Sequence, residues 1–266
     1  MTTLEEREKD GLKIMANNRV WTAALLVIGD EILSGRTEDR NIAQIASWLN
    51  MQGIRLTEVR VVPDDSQVIG DAVRALKDNH DYLFTTGGIG PTHDDITVES
   101  ISNALNLPVV IHPEAEECLK QYYADRGGVT PARLRMARAP EGASLIKNPV
   151  SGAPGIRIGN IFIMAGVPKI VTAMLESLNG TLSGGKPVLS RTVGTWDGES
   201  RIAKTLQQTE KDHPDCKLGS YPFFRNGSGG VNLVIRSVDR EALNRCAQDL
   251  IGRLLKEDLS AIDGAI

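Results

Sequence analysis

Cysteine, aromatic residues and long apolar runs are scarce in this chain of 266 residues. The three cysteines, Cys118, Cys216 and Cys246, lie far apart, so neither a disulfide framework nor a metal-binding pair is indicated. The best apolar run, residues 23–28, is far shorter than the roughly 20 residues that a membrane-spanning helix needs. The charged N-terminal segment lacks the apolar core of a secretory signal. We therefore expect a cytoplasmic protein with reduced thiols and no membrane contact.

An excess of charge of either sign is also missing. The net charge is −4 at pH 7, which argues against general nucleic-acid binding, although a local basic pocket remains compatible with it. Hydrophobic residues make up 41% of the chain and charged residues 24%, as in ordinary globular proteins. The composition therefore allows a sizeable core, and we expect a small-molecule partner rather than a nucleic acid.

Apolar strand patterns and helical patterns alternate along the first part of the chain. Strands are predicted over residues 23–28, 54–62 and 82–85. Helices are predicted over residues 41–51, 66–77 and 95–105, with Ser66 as an N-cap. Such alternation with short connections is typical of an α/β fold, in which a parallel sheet is covered on both faces. Ligands of such folds bind at the carboxyl ends of the strands.

The rest of the chain is less regular. We predict a helix over residues 114–125, an antiparallel strand pair over 156–158 and 161–164, and a helix ending at Leu178. A polar, glycine-rich stretch then marks a domain boundary. The segment after it has the order strand, helix, strand, strand, helix, which predicts a small α+β domain. The predicted organisation is a helical extension (1–20), an α/β domain (21–182) and an α+β domain (186–258).

A glycine-rich segment after the third predicted strand is the clearest sign of function. Gly87, Gly88 and Gly90 permit backbone conformations and close approaches that a Cβ would block. Because the loop opens a helix, it presents unpaired N–H groups and the positive end of the helix dipole, which together attract anions. Glycines are also used in tight strand–helix turns without any ligand, so the three glycines alone leave both interpretations open.

Two carboxylates follow this loop at once. Asp94 and Asp95 would repel a bound phosphate unless a cation lay between them, and Mg²⁺ prefers carboxylate and phosphate oxygens. The alternative is that one of them caps the helix, with Thr97 and Glu99 as ordinary first-turn residues.

Residues 87–99, Gly-Gly-Ile-Gly-Pro-Thr-His-Asp-Asp-Ile-Thr-Val-Glu, resemble the signature of the molybdopterin-binding (MoaB/Mog-like) superfamily. The Gly-Pro-Thr-x-Asp-Asp form is most similar to the N-terminal domain of competence/damage-inducible protein A and to the related domain of FAD synthases. Further segments resemble other loops of the family in the same order: residues 28–35 with Asn41, and residues 62–65, 148–155 and 165–168.

This resemblance implies a three-layer α/β/α sandwich, a homo-oligomer and a ligand that carries phosphates on a nucleotide or a pterin. The molybdenum branch of the superfamily binds and adenylates molybdopterin, whereas the competence branch resembles hydrolases of pyrophosphates such as ADP-ribose or FAD. Ile89, where the molybdenum branch has threonine, and the doubled aspartate favour the second branch. We therefore predict metal-dependent pyrophosphate hydrolysis. The alternatives are a molybdopterin-binding or adenylating protein and a non-catalytic nucleotide-binding module.

Candidate roles follow from the loops that carry the resemblance. The candidate catalytic residues are Asp95, Asp64, Asp30 and Glu31. The candidate ligands of a divalent metal, Mg²⁺, are Asp95, Asp64 and Asp94. The candidate substrate-binding residues are Ser34, Gly35, Asn41, Thr86, Gly87, Gly88, Gly90, Thr92 and Thr97. Asp30 and Glu31 could instead lie on a solvated loop, and Asn41 could instead cap the following helix.

Two further groups of residues are open to a functional and a structural interpretation. Arg133, Arg135 and Arg138 could form a positive lid over phosphates, but a solvated helix face is the preferred interpretation. The aromatic segment 221–225 could close over a nucleobase, but packing in a core or between domains is preferred. Lys147 and Lys169, which flank two of the family-like loops, are candidate phosphate contacts.

Overall fold

The computed structural model describes residues 19–225 and 227–266, so the helical extension predicted over residues 1–20 falls almost wholly outside the described residues. The chain divides into two compact units, Met1–Gly185 and Lys186–Ile266, here called unit 1 and unit 2. No helix in the described ranges is both long enough and apolar enough to cross a membrane.

A six-stranded sheet forms the centre of unit 1. Its strands, in spatial order, are β2 (Ile54–Val62), β1 (Trp21–Ile28), β3 (Tyr82–Thr86), β8 (Ile161–Met164), β7 (Gly155–Ile158) and β6 (Ser144–Ile146). The first four run parallel, whereas β7 is antiparallel to both β8 and β6. A separate antiparallel pair joins β4 (Val109–Ile111) to β5 (Arg138–Pro140). The mostly parallel sheet agrees with the predicted fold class.

Short and medium-length helices connect these strands. They are α1 (Asp30–Leu33), α2 (Asn41–Met51), α3 (Ser66–Lys77), α4 (Thr97–Ala104), α5 (Pro113–Tyr123), α6 (Pro131–Leu134), a 3₁₀ helix (Arg135–Ala137) and α7 (Pro168–Ser177). The N-cap of α3 is Asp65 and not the predicted Ser66, because the Asp65 carboxylate accepts hydrogen bonds from the N–H groups of Gln67 and Val68.

Two apolar cores lie on the two faces of this sheet. Strand β1 contributes to both, since Leu25 belongs to one core and Leu26 to the other, and neither has exposed surface. Residues of α2 and α7 complete the first core, and residues of α3 and α4 complete the second. This arrangement confirms the three-layer sandwich. It also explains why residues 23–28 of β1 are all apolar, since both faces of the strand are buried.

The arginine-rich segment is helical over residues 131–137, but its three arginines are half-buried and do not form the solvated face that was preferred from the sequence. Arg133 ends the short helix α6, Arg135 starts the 3₁₀ helix and Arg138 starts strand β5. The Arg133 guanidinium lies over the Tyr123 ring and donates to the backbone carbonyl of Arg126. The solvated face was the wrong interpretation because Tyr123 of α5 and Glu99 of α4 pack against Arg133 and Arg138.

Unit 2 is an antiparallel sheet packed against two helices. Its strand order is β10 (Lys217–Arg225), β11 (Ser228–Ser237), β9 (Leu189–Thr195) and β12 (Ile262–Asp263), and its helices are α8 (Glu199–Asp212) and α9 (Arg240–Lys256). The sheet and helices agree with the predicted α+β class, but β12 lies beyond the predicted limit at residue 258. Phe224 in β10 is 82% exposed, so core packing is not the role of this aromatic side chain.

Candidate functional site

The sheet topology of unit 1 brings five loops to one edge. Parallel strands β2, β1, β3 and β8 all end there. Because β7 runs against β8 and β6 runs against β7, the connection over residues 147–154 starts and finishes at the same edge. The sequence-predicted site segments therefore meet along one rim, as expected for a doubly covered sheet.

Gly87 fixes the course of the loop that leaves β3. Its φ is +100°, and a Cβ at this position would lie 2.1 Å from the carbonyl oxygen of Ile28 at the end of β1. Its N–H donates to the carbonyl of Met164 at the end of β8, at 3.2 Å. The backbone of Gly87 therefore lies between the ends of β1 and β8, the two strands that flank β3. Any larger residue here would collide with the main chain of β1.

Thr97, the first residue of α4, closes the loop from its other side. Its hydroxyl donates to the Gly87 carbonyl at 2.9 Å, and its N–H donates to the Gly88 carbonyl at 3.1 Å. Thr97 is fully buried, and a Cβ on Gly88 would lie 2.2 Å from its hydroxyl oxygen. Predicted as a substrate contact, Thr97 thus holds the loop to the helix by two hydrogen bonds.

The segment between these anchors leaves three consecutive N–H groups without an acceptor. Those of Gly88, Ile89 and Gly90 donate no hydrogen bond to any residue in the described part of the chain. Residues 91–96 separate them from α4 in the sequence, but Thr97 at the start of α4 donates to the Gly88 carbonyl, so the positive end of the helix dipole lies beside the loop. Successive free N–H groups at a helix N-terminus are a favourable binding site for an anion.

The two aspartates after the loop are organised by Thr92. The Asp95 carboxylate accepts from the Thr92 N–H at 2.8 Å and from the Thr92 hydroxyl at 2.6 Å. The same hydroxyl also contacts the Asp94 carboxylate, and this hydrogen bond lowers the pKa of Asp94 below its ordinary value. A Cβ on Gly90 would lie 2.6 Å from Asp95. Thr92, Asp94 and Asp95 therefore form one acidic cluster beside the free N–H groups.

A small cleft opens between this loop and the arginine-rich segment. Together with the adjoining space that is open to solvent it measures about 260 Å³, and its lining comprises Gly88, Ile89, Gly90, Asp95, Val98, Arg135, Met136, Arg138, Pro154 and Ile156. Arg138 forms an ion pair with Glu99 of α4. Burial lowers the pKa of Arg138, an effect that the nearby Asp95 opposes. The cleft thus combines backbone donors with charges of both signs.

Asp30 and Asp64 meet on neighbouring loops. The N–H of Asp30 donates to the Asp64 carboxylate at 3.0 Å, which joins the loop after β1 to the loop after β2. Glu31, Ser34 and Gly35 follow in the same β1 loop and are exposed. The predicted site residues therefore fall into two groups, one on the loops after β1 and β2 and one on the loop after β3.

Asn41 and Thr86 are buried beneath this rim. The Asn41 amide donates to the Gly166 carbonyl at 2.7 Å and accepts from the Gln44 amide at 2.8 Å, so Asn41 ties α2 to the loop after β8 and does not cap the helix. Thr86 is 1% exposed, and its hydroxyl has no partner among the described residues. Asn41 thus supports the loop after β8 from below, and neither side chain is exposed enough to be a direct contact for a large ligand.

The described residues form no metal site made of protein ligands alone. Among residues 19–225 and 227–266, no group of three or more His, Cys, Asp or Glu side chains could hold a metal ion. Asp94 and Asp95 provide two carboxylates at one place, and Asp64 contacts Asp30 instead. This donor set fits Mg²⁺ in the way that nucleotide enzymes bind it, with substrate phosphates and water supplying the other ligands.

Sequence reasoning missed the part of the site that comes from distant segments. The Arg138–Glu99 ion pair and the contribution of Pro154 to the cleft both depend on the fold. The arginines stood out in the sequence, where a positive lid over phosphates was the less preferred interpretation, and two of them, Arg135 and Arg138, line the cleft beside the glycine loop. Lys147 instead lines a wider groove together with Tyr122, Leu145 and Asn148, and Lys169 is exposed at the start of α7.

Comparison with protein families matches each unit separately. Residues 24–184 match the family described as "Probable molybdopterin binding domain". Residues 187–262 match the family described as "FAD synthase, middle domain". The boundary between the two matches lies where the two compact units divide.

Individual relatives agree with these matches. A protein of Archaeoglobus fulgidus is 32% identical over 198 residues, which cover 74% of this chain and 84% of that protein. A CinA-like protein of Desulfosudis oleivorans is 32% identical over 87% of this chain, and the match spans 57% of that longer relative. The crystal structure of the protein CinA, of unknown function, from Thermoplasma acidophilum is 35% identical with a TM-score of 0.57, covering 61% of this chain and 98% of that one.

Proposed function

Because the chain belongs to the probable molybdopterin-binding domain family, we propose that it binds a phosphorylated pterin or nucleotide through the loop between β3 and α4. The observation that carries this proposal is the run of three N–H groups, Gly88 to Gly90, which have no acceptor among the described residues and lie beside the N-terminus of α4. A phosphate placed there would accept from the loop and gain from the helix dipole.

The shape of the surroundings supports a ligand with a charged part and a planar part. The cleft beside the glycine loop is too small to enclose a whole small molecule, so we propose that only the phosphates of the ligand bind there. Pro154, which lines the cleft, also lines the wider, mostly apolar groove beside α5 and α7. We propose that this groove receives the pterin or the nucleobase, with Tyr122 and Leu145 among its walls.

Ligand titration of the purified protein tests the proposal. Calorimetry would be run with ADP-ribose, FAD, NAD and AMP, each with and without Mg²⁺, and the fluorescence of material released on denaturation would report a co-purified pterin. We expect saturable binding of at least one phosphorylated compound, or a pterin in stoichiometric amount. Absence of both, with a correctly folded sample, would contradict the proposal.

Pyrophosphate hydrolysis is the second candidate, favoured by the acidic cluster beside the loop. Asp94 and Asp95 would repel a bound pyrophosphate unless they held a cation, and Mg²⁺ there would neutralise the charge that develops on the phosphates. The residues of the chain would then position the pyrophosphate through the loop N–H groups and exclude water from one side of it.

The substitution Asp95→Asn separates hydrolysis from binding. Asparagine keeps an oxygen that can accept from the Thr92 N–H, so we expect the melting temperature to change little. It removes the negative charge that a hard cation needs, so release of AMP from ADP-ribose should stop while binding without metal is retained. Asp94→Asn should also reduce hydrolysis, because both carboxylates are proposed to hold the cation, and Asp78→Asn, at an exposed carboxylate just after α3, is the matched control. Full activity in Asp95→Asn would rule out a catalytic role for this carboxylate.

We also propose that the protein assembles as a homo-oligomer, as the resemblance to the superfamily implies. Light scattering coupled to gel filtration should give a mass that is a multiple of the 28.8 kDa of one chain. A mass of one chain over a wide concentration range would contradict this assembly.

A further inference from the structure

Among the described residues that line the cleft beside the glycine loop, Arg135 is a cation without an ion-pair partner. The charged lining residues of the cleft are Asp95, Arg135 and Arg138. In the part of the chain that the structure describes, Arg135 forms no ion pair, whereas Arg138 is paired. The two arginines therefore differ in how much of their charge is available to a ligand.

The positive charge of Arg138 is already compensated by acidic side chains of the protein. Its guanidinium contacts the Glu99 carboxylate of α4, and the negative charge of Asp95 also acts on it. Its Nε donates to the backbone carbonyl of Arg135 at 3.0 Å. These contacts hold strand β5 against α4 and leave little of the Arg138 charge for a bound anion.

Arg135 has the opposite character. Its Nε is buried, and it donates no hydrogen bond to any described residue. A buried donor without an acceptor destabilises a fold, so packing alone does not account for an arginine at this position. The side chain lines the same cleft as the N–H groups of Gly88 to Gly90, which also lack acceptors.

The backbone that carries Arg135 is well fixed. It lies between the cap of α6, where the Thr130 hydroxyl accepts from the Arg133 N–H, and Ala137, whose carbonyl accepts from the His112 N–H at 2.8 Å. Ala137 itself is buried in a small apolar cluster with α5. A cation on such a fixed segment loses little freedom when a ligand binds.

We propose that Arg135 is a specificity-determining residue that pairs with the phosphate or pyrophosphate held by the glycine loop, and that it makes the site select ligands by negative charge. This inference rests on the proposed function and extends it, because it assigns the recognition of charge to a residue outside the glycine loop. The guanidinium supplies charge-assisted hydrogen bonds, and the loop N–H groups supply neutral ones.

Three variants and three probes test this proposal. Arg135→Gln removes the charge, Arg135→Lys keeps it, and Arg55→Gln removes the same charge from an exposed position at the amino end of β2, away from the rim. Affinities would be measured by calorimetry for inorganic pyrophosphate, ADP-ribose and adenosine at two salt concentrations. The melting temperature of each variant would be measured in parallel.

We expect Arg135→Gln to weaken pyrophosphate and ADP-ribose binding at least tenfold, to reduce the salt dependence and to leave any adenosine binding unchanged. Arg135→Lys should lose less affinity, and Arg55→Gln should behave as the unsubstituted protein. Because the glutamine variant removes a buried donor without an acceptor, its melting temperature should stay equal or rise.

Several results would overturn the assignment. Unchanged pyrophosphate and ADP-ribose affinity in Arg135→Gln would show that the charge of Arg135 is not used. Equal losses in the glutamine and lysine variants, with a lower melting temperature in both, would show that the residue is structural. If the unsubstituted protein bound neither charged probe, charge selection by Arg135 would fail, whereas a co-purified pterin would still support the proposed function.

Discussion

The two units of this chain use similar elements but direct their strand ends differently. In unit 1, four parallel strands end at one edge, so their connecting loops collect there. In unit 2, all neighbouring strands are antiparallel, so successive strand ends lie at opposite edges. The cluster of loop N–H groups, carboxylates and arginines is found in unit 1, where strand direction concentrates it. Topology, more than composition, thus determines where a ligand site can form.

The cores differ in the same way. Strand β1 of unit 1 is buried continuously from Ala23 to Ile28, because helices cover both faces of its sheet. Strand β11 of unit 2 alternates instead, with Leu233 and Ile235 buried while Arg236 is exposed. When both faces of a sheet are covered by helices, a ligand can reach only the edge where the strands end. In unit 1 the polar residues of the candidate site lie at this edge.

The largest effect is expected from Gly87→Ala. The new Cβ would meet the Ile28 carbonyl oxygen at 2.1 Å, in a region of positive φ that alanine disfavours. We expect the free energy of unfolding to fall by roughly 3 kcal/mol or more, because the ends of β1 and β3 must move apart. Ligand binding should disappear for the same reason. Chemical denaturation and calorimetry on the same sample would check this.

Gly252→Ala in α9 of unit 2 is the matched control. No atom lies within 4 Å of a Cβ built at this position, and the residue is inside a helix. Alanine should therefore raise the stability by about 0.5–1 kcal/mol and leave ligand binding unchanged. Similar effects of the two substitutions would break the comparison between a constrained loop and a permissive helix.

An intermediate effect is expected from Asn41→Ala. This change deletes the hydrogen bond to the Gly166 carbonyl, which lies in the loop next to Gly87. We expect a loss of about 1–3 kcal/mol of stability together with weaker ligand binding. Asn232→Ala in unit 2 removes a comparable hydrogen bond, to the Ile266 N–H, and should leave binding unaffected. Normal ligand affinity in Asn41→Ala would mean that the binding loops do not depend on the hydrogen bond between Asn41 and Gly166.

The smallest effect concerns the cap of α9. The Asp239 carboxylate accepts from the N–H groups of Ala242 and Glu241, and these hydrogen bonds lower the pKa of Asp239. Its contribution to stability is therefore present above the unfolded-state pKa, near 3.8, and is lost as the pH falls through the lower folded-state pKa. Asp239→Ala should lower the melting temperature by a few degrees at neutral pH.

Asp239→Asn sharpens this last test. Asparagine is as good an N-cap as aspartate but does not titrate, so this variant should keep most of the neutral-pH stability and lose the acid-dependent part. The measurement is a series of melting curves between about pH 2 and pH 7, with each variant compared with the unsubstituted protein. An unchanged acid profile in Asp239→Asn would show that another carboxylate is responsible.

Long, periodic elements were predictable from the sequence. The helix Asn41–Met51 and the strand Ile54–Val62 have the predicted bounds, because each presents a regular apolar pattern to a core. The resemblance to the molybdopterin-binding superfamily is also confirmed, since it rested on several separated motifs. The glycine loop follows β3 as predicted, although α4 begins at Thr97 rather than at Asp95, because Asp95 bonds to Thr92 instead.

Other parts depend on contacts that no local pattern encodes. The ion pair between Arg138 and Glu99 joins a three-residue strand to a helix, and neither residue type predicts the other. The cap at Asp65 rather than Ser66 was a choice between two good capping residues, which only the backbone conformation decides. The grouping of Asp30 with Asp64, apart from Asp94 and Asp95, required the strand order.

The free N–H groups of the glycine loop also make it a natural spectroscopic reporter. In deuterated water, the amide protons of Gly88, Ile89 and Gly90 have no acceptor among the described residues to slow their exchange, whereas those of Gly87 and Thr97 are bonded to the carbonyls of Met164 and Gly88. An anion accepting from the loop would protect three adjacent amides at once. Occupancy could then be followed residue by residue, even for a ligand that the protein does not transform.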